Sequence, residues 1–207
     1  MRKVFGNICI ILGFFCLLGA VGFVLYNRWE AENAAQITNS LLADVQLSLR
    51  ENQENPAAQS SAQSSPLEGT NASPEMTTIQ VAGYDCIGIL SIPVLELELP
   101  VLTDWSYAKL KMAPCLYYGS YYEKDFVIAA HNYDAHFGRL SKLQPGDVVA
   151  FTDANGKTRY YEVVLLETLS KESTMEMITS GFDLSLYTCT LGGGNRVTVR
   201  CNAINSQ

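Results

Sequence analysis

Two segments of the sequence place reactive side chains at the ends of strand-like runs. His131 closes "DFVIAAH" and Cys189 closes "LSLYTC", each after a run of mostly apolar residues. A cysteine nucleophile needs a base within reach, and a histidine can serve as that base and later as the acid that protonates a leaving amine. The pattern therefore indicates acyl transfer by a cysteine and a histidine.

A third candidate is an arginine in the next strand-like run, "RVTVRC", which follows the glycines Gly192–Gly194. Arginine never loses its charge and can donate to the oxyanion of a tetrahedral intermediate. Arg196 and Arg200 compete for this role, because strand alternation puts both on one face. We favour Arg196, which lies nearer to the strand end that carries Cys189, and expect loss of Arg200 to affect stability or binding only mildly.

The other cysteines and the second histidine have plainer interpretations. Cys86, Cys115 and Cys201 are interpreted as small buried hydrophobic residues, although the even number of cysteines beyond residue 80 also allows two disulfides. His136 is expected to be a surface or capping residue at the start of a short helix. No CxxC or HxxxH pairing occurs, so the sequence predicts no metal site.

All these residues belong to a C-terminal segment, residues 79–207, whose pattern is mainly β. Short alternating or apolar runs recur along it, and the turn signal "ANGK" separates two of them. Many short strands at this spacing predict a β-barrel or sandwich. Two short helices are predicted, over Trp105–Met112 and Phe137–Leu143.

The N-terminal part contains an uncharged apolar run, Val4 to Tyr26, after the basic residues 1–3. Its 23 residues would form a helix of roughly 34 Å, enough to span a bilayer. A cleaved signal peptide is the alternative, but the run is long for one and no A-x-A site follows. The sequence thus predicts a transmembrane anchor over residues 4–26, with residues 1–3 in the cytoplasm.

Two segments join this anchor to the β-rich part. Apolar residues from Ile37 to Leu49 recur at helical spacing, which predicts a stalk helix over residues 27–50. Residues 51–78 are rich in Ser, Gln, Asn and Pro, so a disordered tether is predicted that holds the folded part clear of the membrane.

The net charge of −7 and the lack of a basic run argue against a nucleic-acid partner.

The segment from Tyr84 to Asn202 resembles a sortase, the membrane-anchored cysteine transpeptidase of Gram-positive bacteria. "IGILSIPVLELELPV" looks like the opening strand pair of the family, and "VIAAHNYDAHFGRLSKLQPGDVVAFT" like its histidine strand, short helix and next strand. "LSLYTCTLGGGNRVTVRC" resembles the family signature, a Thr-Leu-x-Thr-Cys strand followed by a loop and an arginine-headed strand.

The resemblance carries the catalytic roles over to His131, Cys189 and Arg196, with Thr188 and Asn132 as supporting or substrate-binding residues. This sequence departs from the family pattern at three points. Two of them are replacements of single residues, and the third is the short loop before the arginine. Ser185 stands where the signature has its first threonine, and Ala130 stands where glycine often precedes the histidine.

The resemblance implies an eight-stranded sortase-type β-barrel with short helices behind an N-terminal transmembrane helix. It implies cleavage of an LPxTG-like C-terminal sorting signal on secreted proteins and transfer of the acyl group to an amine of a peptidoglycan precursor or a pilin lysine. The catalytic domain would lie outside the cytoplasm on a single-pass anchor, and no cofactor is expected. A hydrolytic cysteine peptidase and a non-enzymatic wall-binding β-domain stay open as alternatives.

Overall fold

The computed structural model describes residues 2–54 and 75–204. Nine strands and three α-helices make up the described part, together with short 3-10 turns at Pro93–Leu95 and Leu140–Lys142. The strands are β1 Ile79–Val81, β2 Tyr84–Ile92, β3 Leu97–Leu102, β4 Cys115–Tyr118, β5 Phe126–Ala129, β6 Val148–Asp153, β7 Thr158–Ser170, β8 Leu184–Cys189 and β9 Asn195–Ala203. The helices are α1 Arg2–Glu54, α2 Tyr107–Leu110 and α3 Thr174–Ile178.

Eight of the strands form a closed barrel, in the order β2, β3, β4, β5, β8, β9, β7, β6 and back to β2. The short β1 pairs with β2 outside this ring. At the closure Gly88 faces β6 so tightly that a Cβ would lie 2.1 Å from the carbonyl oxygen of Thr152. Only glycine allows this approach at its positive φ of 152°. The expected eight-stranded barrel is confirmed.

Apolar side chains from the strands around the ring point inward and fill the barrel. Phe126, Phe137 and Phe151 are fully buried there, with Leu184, Leu186 and many aliphatic residues around them. Along β8 the pattern alternates little, because Leu184 and Leu186 face this core while Ser185 is also buried. Both faces of this strand are covered, and its buried polar side chains Ser185 and Thr188 are hydrogen-bonded.

The helix α1 is a single element of 53 residues, which contains both the predicted anchor segment and the predicted stalk. Its N-terminal part is long and apolar enough to cross a membrane, by length and composition, and the side chains described there are exposed. The tether predicted over 51–78 falls mostly on residues 55–74, which lie outside the described residues.

The stalk part of α1 packs directly on the barrel. Leu41, Val45 and Leu49 are buried against a second apolar cluster that includes Ile79 and Leu102. The helical stripe visible in the sequence therefore has a partner, and that partner is the outer face of β1–β3. Because this packing occurs, the stalk is part of the folded unit and not a free rod.

The two short helices that the sequence predicted are shorter than expected. Around 105–112 only α2 forms, with the Ser106 hydroxyl accepting from the Lys109 amide at 3.2 Å as its N-terminal cap. Around 137–143 only a 3-10 turn forms. The expectation that His136 is a surface residue is wrong: its side chain is fully buried, because α1 covers it.

Candidate active site

Cys189 is the last residue of β8, where the barrel wall opens to the surface. Its register partner on the antiparallel β9 is Arg196. Directly paired residues in a sheet point to the same face, so these two side chains share one side of the barrel wall. Cys189 is a free thiol and is partly exposed.

His131 reaches the same place from the other side of β8. The strand β5 runs parallel to β8, with Ala129 opposite Tyr187 as the last register pair. The contact continues one residue further, because the Ala130 amide donates to the Tyr187 carbonyl at 3.2 Å and the Thr188 hydroxyl donates to the Ala130 carbonyl at 2.8 Å. His131 follows Ala129 by two positions, as Cys189 follows Tyr187, so continuing the register past the last pair would bring His131 opposite Cys189.

The electrostatic surroundings favour the neutral form of His131. Burial lowers the pKa of His131, the nearby positive charge of Lys111 lowers it further, and the carboxylate of Glu30 acts in the opposite direction. A neutral imidazole at neutral pH can accept a proton from a thiol. This histidine is therefore in the protonation state that a general base needs.

The two competing arginines have different surroundings. Arg196 is partly exposed beside Cys189, and its Nη1 donates to the carbonyls of Gly193 at 3.1 Å and Asn195 at 3.2 Å. These bonds hold the guanidinium at the β8–β9 turn. It lines the groove that runs to Cys189.

Arg200 is almost fully buried and is used inside the fold. Its Nε donates to Glu167 at 2.7 Å and its Nη1 to the Ser185 hydroxyl at 2.8 Å. Further bonds run to the backbone carbonyls of Glu176 and Met177 in α3. Ser185 is the replacement for the first signature threonine, and its hydroxyl accepts the hydrogen bond from Arg200 Nη1.

Cys189 lies between two grooves. The first has an aromatic and aliphatic floor and a polar rim with Arg196. Its lining includes Trp105, Leu110, Tyr117, Met177, Tyr187, Ser173 and Lys171. The second groove lies on the side of the loop after β5, and both polar and apolar side chains line it. Its lining includes Asn132, Asp134, Ser141, Thr188, Thr190 and Leu191.

The two supporting residues predicted from the resemblance lie in different settings. Thr188 is buried and its hydroxyl ties β8 to the end of β5, as described above. Asn132 is partly exposed and lines the second groove next to His131. Thr188 therefore joins the strands that carry Cys189 and His131, whereas Asn132 faces the solvent side of the site.

The remaining cysteines of the barrel are buried and free, so the structure agrees with the buried interpretation and not with two disulfides. Burial raises the pKa of the Cys86, Cys115 and Cys201 thiols to about 12. Such thiols are unreactive at neutral pH.

Among the residues that the structure describes, no group of three or more His, Cys, Asp or Glu is placed to hold a metal ion.

Sequence reasoning missed several neighbours of the site. Tyr133 stacks on the His131 imidazole, with ring centroids 4.7 Å apart and planes 13° apart. Lys111 and Glu30 form an ion pair within electrostatic reach of His131. Glu30 lies about 100 positions earlier in the chain, so no local pattern reveals this contact. The tyrosine after His131 was visible in "HNYD", but nothing in the sequence indicates its stacking.

The comparisons with known proteins agree with this geometry. The sortase domain model matches residues 90–204, which is more than half of the chain. No curated protein matches the sequence. Sortase C1 from Streptococcus agalactiae is 24% identical with a TM-score of 0.54, and the match covers 62% of this chain and 72% of that one.

Two clostridial structures match over a longer range. Sortase C from Clostridium perfringens SM101 is 17% identical with a TM-score of 0.52, covering 84% of this chain and 96% of that one. The sortase D5 transpeptidase of Clostridium perfringens is 17% identical with a TM-score of 0.55, covering 82% and 97%. At these identities the likeness is one of fold. With the family model matched across the strands that carry His131, Cys189 and Arg196, this chain belongs to the sortase family.

Proposed function

We propose that the protein is a cysteine transpeptidase that cleaves an LPxTG-like sorting signal between Thr and Gly and joins the acyl group to an amine. The observation that carries the proposal is the row of three groups across adjacent strands: His131 after β5, Cys189 at the end of β8 and Arg196 opposite it on β9. Each group has the chemistry that one step of acyl transfer requires.

In the first half-reaction the Cys189 sulfur attacks the Thr–Gly carbonyl while its proton passes to the neutral imidazole of His131. The carbonyl oxygen becomes an oxyanion, which the Arg196 guanidinium stabilises. Collapse of the intermediate breaks the C–N bond, and the imidazolium returns the proton to the leaving amine. The products are a thioester on Cys189 and a peptide that begins with glycine.

In the second half-reaction an incoming amine attacks the thioester carbonyl. His131 removes a proton from the amine, the same oxyanion position is used again, and the Cys189 sulfur leaves and is reprotonated. A new amide bond forms and the enzyme is restored. If water attacks instead, the product is a carboxylic acid and the enzyme is a hydrolytic peptidase.

The two grooves beside Cys189 support separate binding of the sorting signal and of the amine. The aromatic floor of the first groove, with Trp105, Tyr117 and Tyr187, suits the apolar residues of a sorting signal. The second groove carries Asp134 and Asn132, which suit a cationic or polar amine acceptor. The acceptor would be a peptidoglycan precursor or a pilin lysine.

The proposed setting is the outer face of the cell membrane of a Gram-positive bacterium, with α1 as a single-pass anchor. Thr38 contacts His136 and lies 12 residues after Tyr26, so this contact is roughly 18 Å along the helix from the end of the apolar segment. Both a secreted protein retained at the membrane and a lipid-linked precursor would meet the enzyme there.

The test is mass spectrometry of the full chain in detergent micelles with LPxTG-like peptides and candidate amines. The proposal expects a thioester on Cys189 and an amide product that depends on the amine. A carboxylic acid product in the presence of every amine would favour the hydrolytic peptidase. An unmodified Cys189 and intact peptides across the library would favour a non-enzymatic wall-binding domain and overturn the proposal.

A further inference from the structure

The stalk part of α1 makes a buried polar contact with the loop that carries the catalytic histidine. We call residues 130–139 the histidine loop. Its His136 is fully buried, and Nε2 lies 2.7 Å from the Thr38 hydroxyl, 98 positions away in the chain. The Thr38 proton is directed at the carbonyls of Ala34 and Met112, so the hydroxyl oxygen accepts from the His136 Nε2–H.

Short hydrogen bonds inside the histidine loop connect His136 to His131. The amides of His136 and Gly138 both donate to the Tyr133 carbonyl at 2.9 Å, and the Phe137 amide donates to the His131 carbonyl at 3.1 Å. The loop is tightly folded, since a Cβ on Gly138 would lie 2.5 Å from a backbone oxygen of the same loop. A displacement of His136 therefore moves Tyr133 and His131 with it.

The Glu30 carboxylate of α1 forms an ion pair with Lys111, and both charges act electrostatically on His131. Tyr133 stacks on the His131 ring at 4.7 Å. A hydrogen bond from Lys111 is the main cause that lowers the pKa of Glu30, and the charge of His131 and the Tyr133 hydroxyl add smaller effects. Glu30 and Lys111 are therefore the charged groups beside His131, and one of them belongs to α1.

We propose that Thr38 is a positioning residue for catalysis, which acts through His136 and the histidine loop to fix the place and orientation of the His131 imidazole. The inference rests on the proposed function, in which His131 transfers protons. A hydrogen bond is directional, so the buried pair of Thr38 and His136 fixes an orientation that an apolar contact of the same size would leave open. In that case the position of α1 and the position of the His131 imidazole are coupled.

The experiment uses the full chain in detergent micelles, without a histidine tag. Thr38→Val removes the hydroxyl at constant shape, and Thr38→Ser keeps it. Ser40→Ala is the matched control, because the exposed Ser40 hydroxyl bonds only its own helix, at the Ile37 carbonyl. Single-turnover acylation by an LPxTG peptide gives the rate. NMR titration of the imidazoles gives the state of His131 directly, since the chain has only two histidines.

We expect Thr38→Val to slow acylation at least tenfold and to change the His131 titration, because small misplacements of a catalytic group have large effects on rate. Thr38→Ser and Ser40→Ala should stay within threefold of the parent. A Thr38→Val protein with parental acylation, or with a loss that matches its unfolded fraction while the His131 titration is unchanged, would overturn the proposal.

Two further variants keep the test decisive. If Thr38→Val does not fold, Thr38→Ala and Thr38→Asn take its place with the same two measurements, and a folded variant with the parental acylation rate and an unchanged His131 titration contradicts the inference. If the parent protein acylates no peptide, the proposed function fails by itself. The NMR titrations then decide alone whether the stalk positions His131.

Discussion

Cys189 and Arg196 are partners in the last register pair of the β8–β9 ladder, and the β5–β8 ladder ends next to the same position. Three neighbouring strands therefore carry the Cys189 thiol, the His131 imidazole and the Arg196 guanidinium at or just after their ends. No long loop is required to bring them together. Groups held on strand ends keep their spacing well, which is what a reaction with two successive tetrahedral intermediates needs.

Replacing the nucleophile should abolish both cleavage and transfer. We expect Cys189→Ala to form no thioester and to unfold at the same temperature as the parent, because Cys189 is partly exposed and its sulfur does not hold the core. Cys201→Ala is the matched control on the neighbouring strand. It should remain active while losing about 1 kcal/mol of stability through lost packing.

The check for this pair is intact-mass analysis of the acyl-enzyme together with thermal unfolding. Retention of more than a few per cent of turnover in Cys189→Ala would show that another group is the nucleophile. Iodoacetamide offers a second measurement. It should label Cys189 in the folded protein and spare Cys201, whose pKa is raised to about 12 by burial.

The two arginines should give opposite kinds of defect. Arg196→Ala should reduce the acylation rate by about 10²–10³ with little loss of stability, and lysine should rescue it poorly because it lacks the planar fork. Arg200→Ala should destabilise the fold by roughly 3 kcal/mol, since a nearly buried charge with four hydrogen-bond partners is lost. The mild effect that the sequence predicts for Arg200 is therefore replaced by a strong structural one.

Single-turnover rates and urea unfolding of the two alanine variants separate these roles. Acylation that is slower by tenfold or more in a well-folded Arg200→Ala protein than in Arg196→Ala would move the catalytic role to Arg200. The conservative variant Arg200→Lys adds a control, because it keeps the charge but cannot reproduce the bonds to Glu167, Ser185 and α3 together.

The barrel could be predicted because it leaves local signals, and similar local signals single out the candidate site residues. His131 and Cys189 end apolar runs, and a strand end at a barrel rim is where a side chain is both fixed and accessible. The short strands and turn signals indicated a closed β-structure, and the structure confirms the barrel. Strand alternation could not separate Arg196 from Arg200, because both point to one face and only their distant partners differ.

The part that the sequence could not give depends on contacts between remote segments. The stripe from Ile37 to Leu49 was visible, but its partners on β1–β3 follow a gap of low-complexity sequence. His136 looked like a surface residue because the four residues before it, 132–135, are polar or small. Its burial depends on Thr38, and no local pattern encodes a hydrogen bond between positions 98 apart.

The buried His136 should make the fold less stable in acid. Burial lowers the pKa of His136 to about 4, below the value of about 6.5 expected for the unfolded chain. Between these two values the unfolded state binds more protons, so this group's contribution is complete above about pH 6.5 and is lost as the pH falls towards 4. The full effect is on the order of 3 kcal/mol.

Urea unfolding of the parent and of His136→Asn at pH 7 and pH 4.5 measures this contribution, because other titrating groups cancel in the comparison. The parent should lose more stability than the variant on acidification. Equal losses in both proteins would mean that His136 is protonated without penalty, through a solvent path that the buried site does not provide.

The acid side of the activity profile should report His131. The pKa of His131 is lowered by burial and by Lys111, so the neutral base persists below the ordinary histidine value, and acylation should fall only at pH values under about 6.5. Removing the positive charge in Lys111→Met should raise this pKa and move the acid limb to higher pH. Rates of acylation from pH 4.5 to 8 check the direction; a shift to lower pH contradicts it.

Truncation should separate the anchor from the stalk. The sequence predicts that a chain beginning near Thr77 folds and cleaves peptides, but such a chain lacks Leu41, Val45 and Leu49, which are buried on the barrel. Each of these side chains contributes about 1.5–3 kcal/mol by burial, so their joint loss is comparable with the whole stability of a small domain. We expect residues 27–207 to fold and to cleave peptides, and residues 75–207 to be destabilised by roughly 5 kcal/mol or to aggregate.

Urea unfolding and peptide cleavage of the two fragments provide the measurement, with single substitutions in the full chain as controls. Leu41→Ala should cost 2–5 kcal/mol, on the order seen for buried leucines, whereas Leu47→Ala, on the exposed side of the same helix, should cost little. A fragment of residues 75–207 with the stability and acylation rate of residues 27–207 would show that the barrel stands alone. In that case the contacts of α1 would serve neither the fold nor the site.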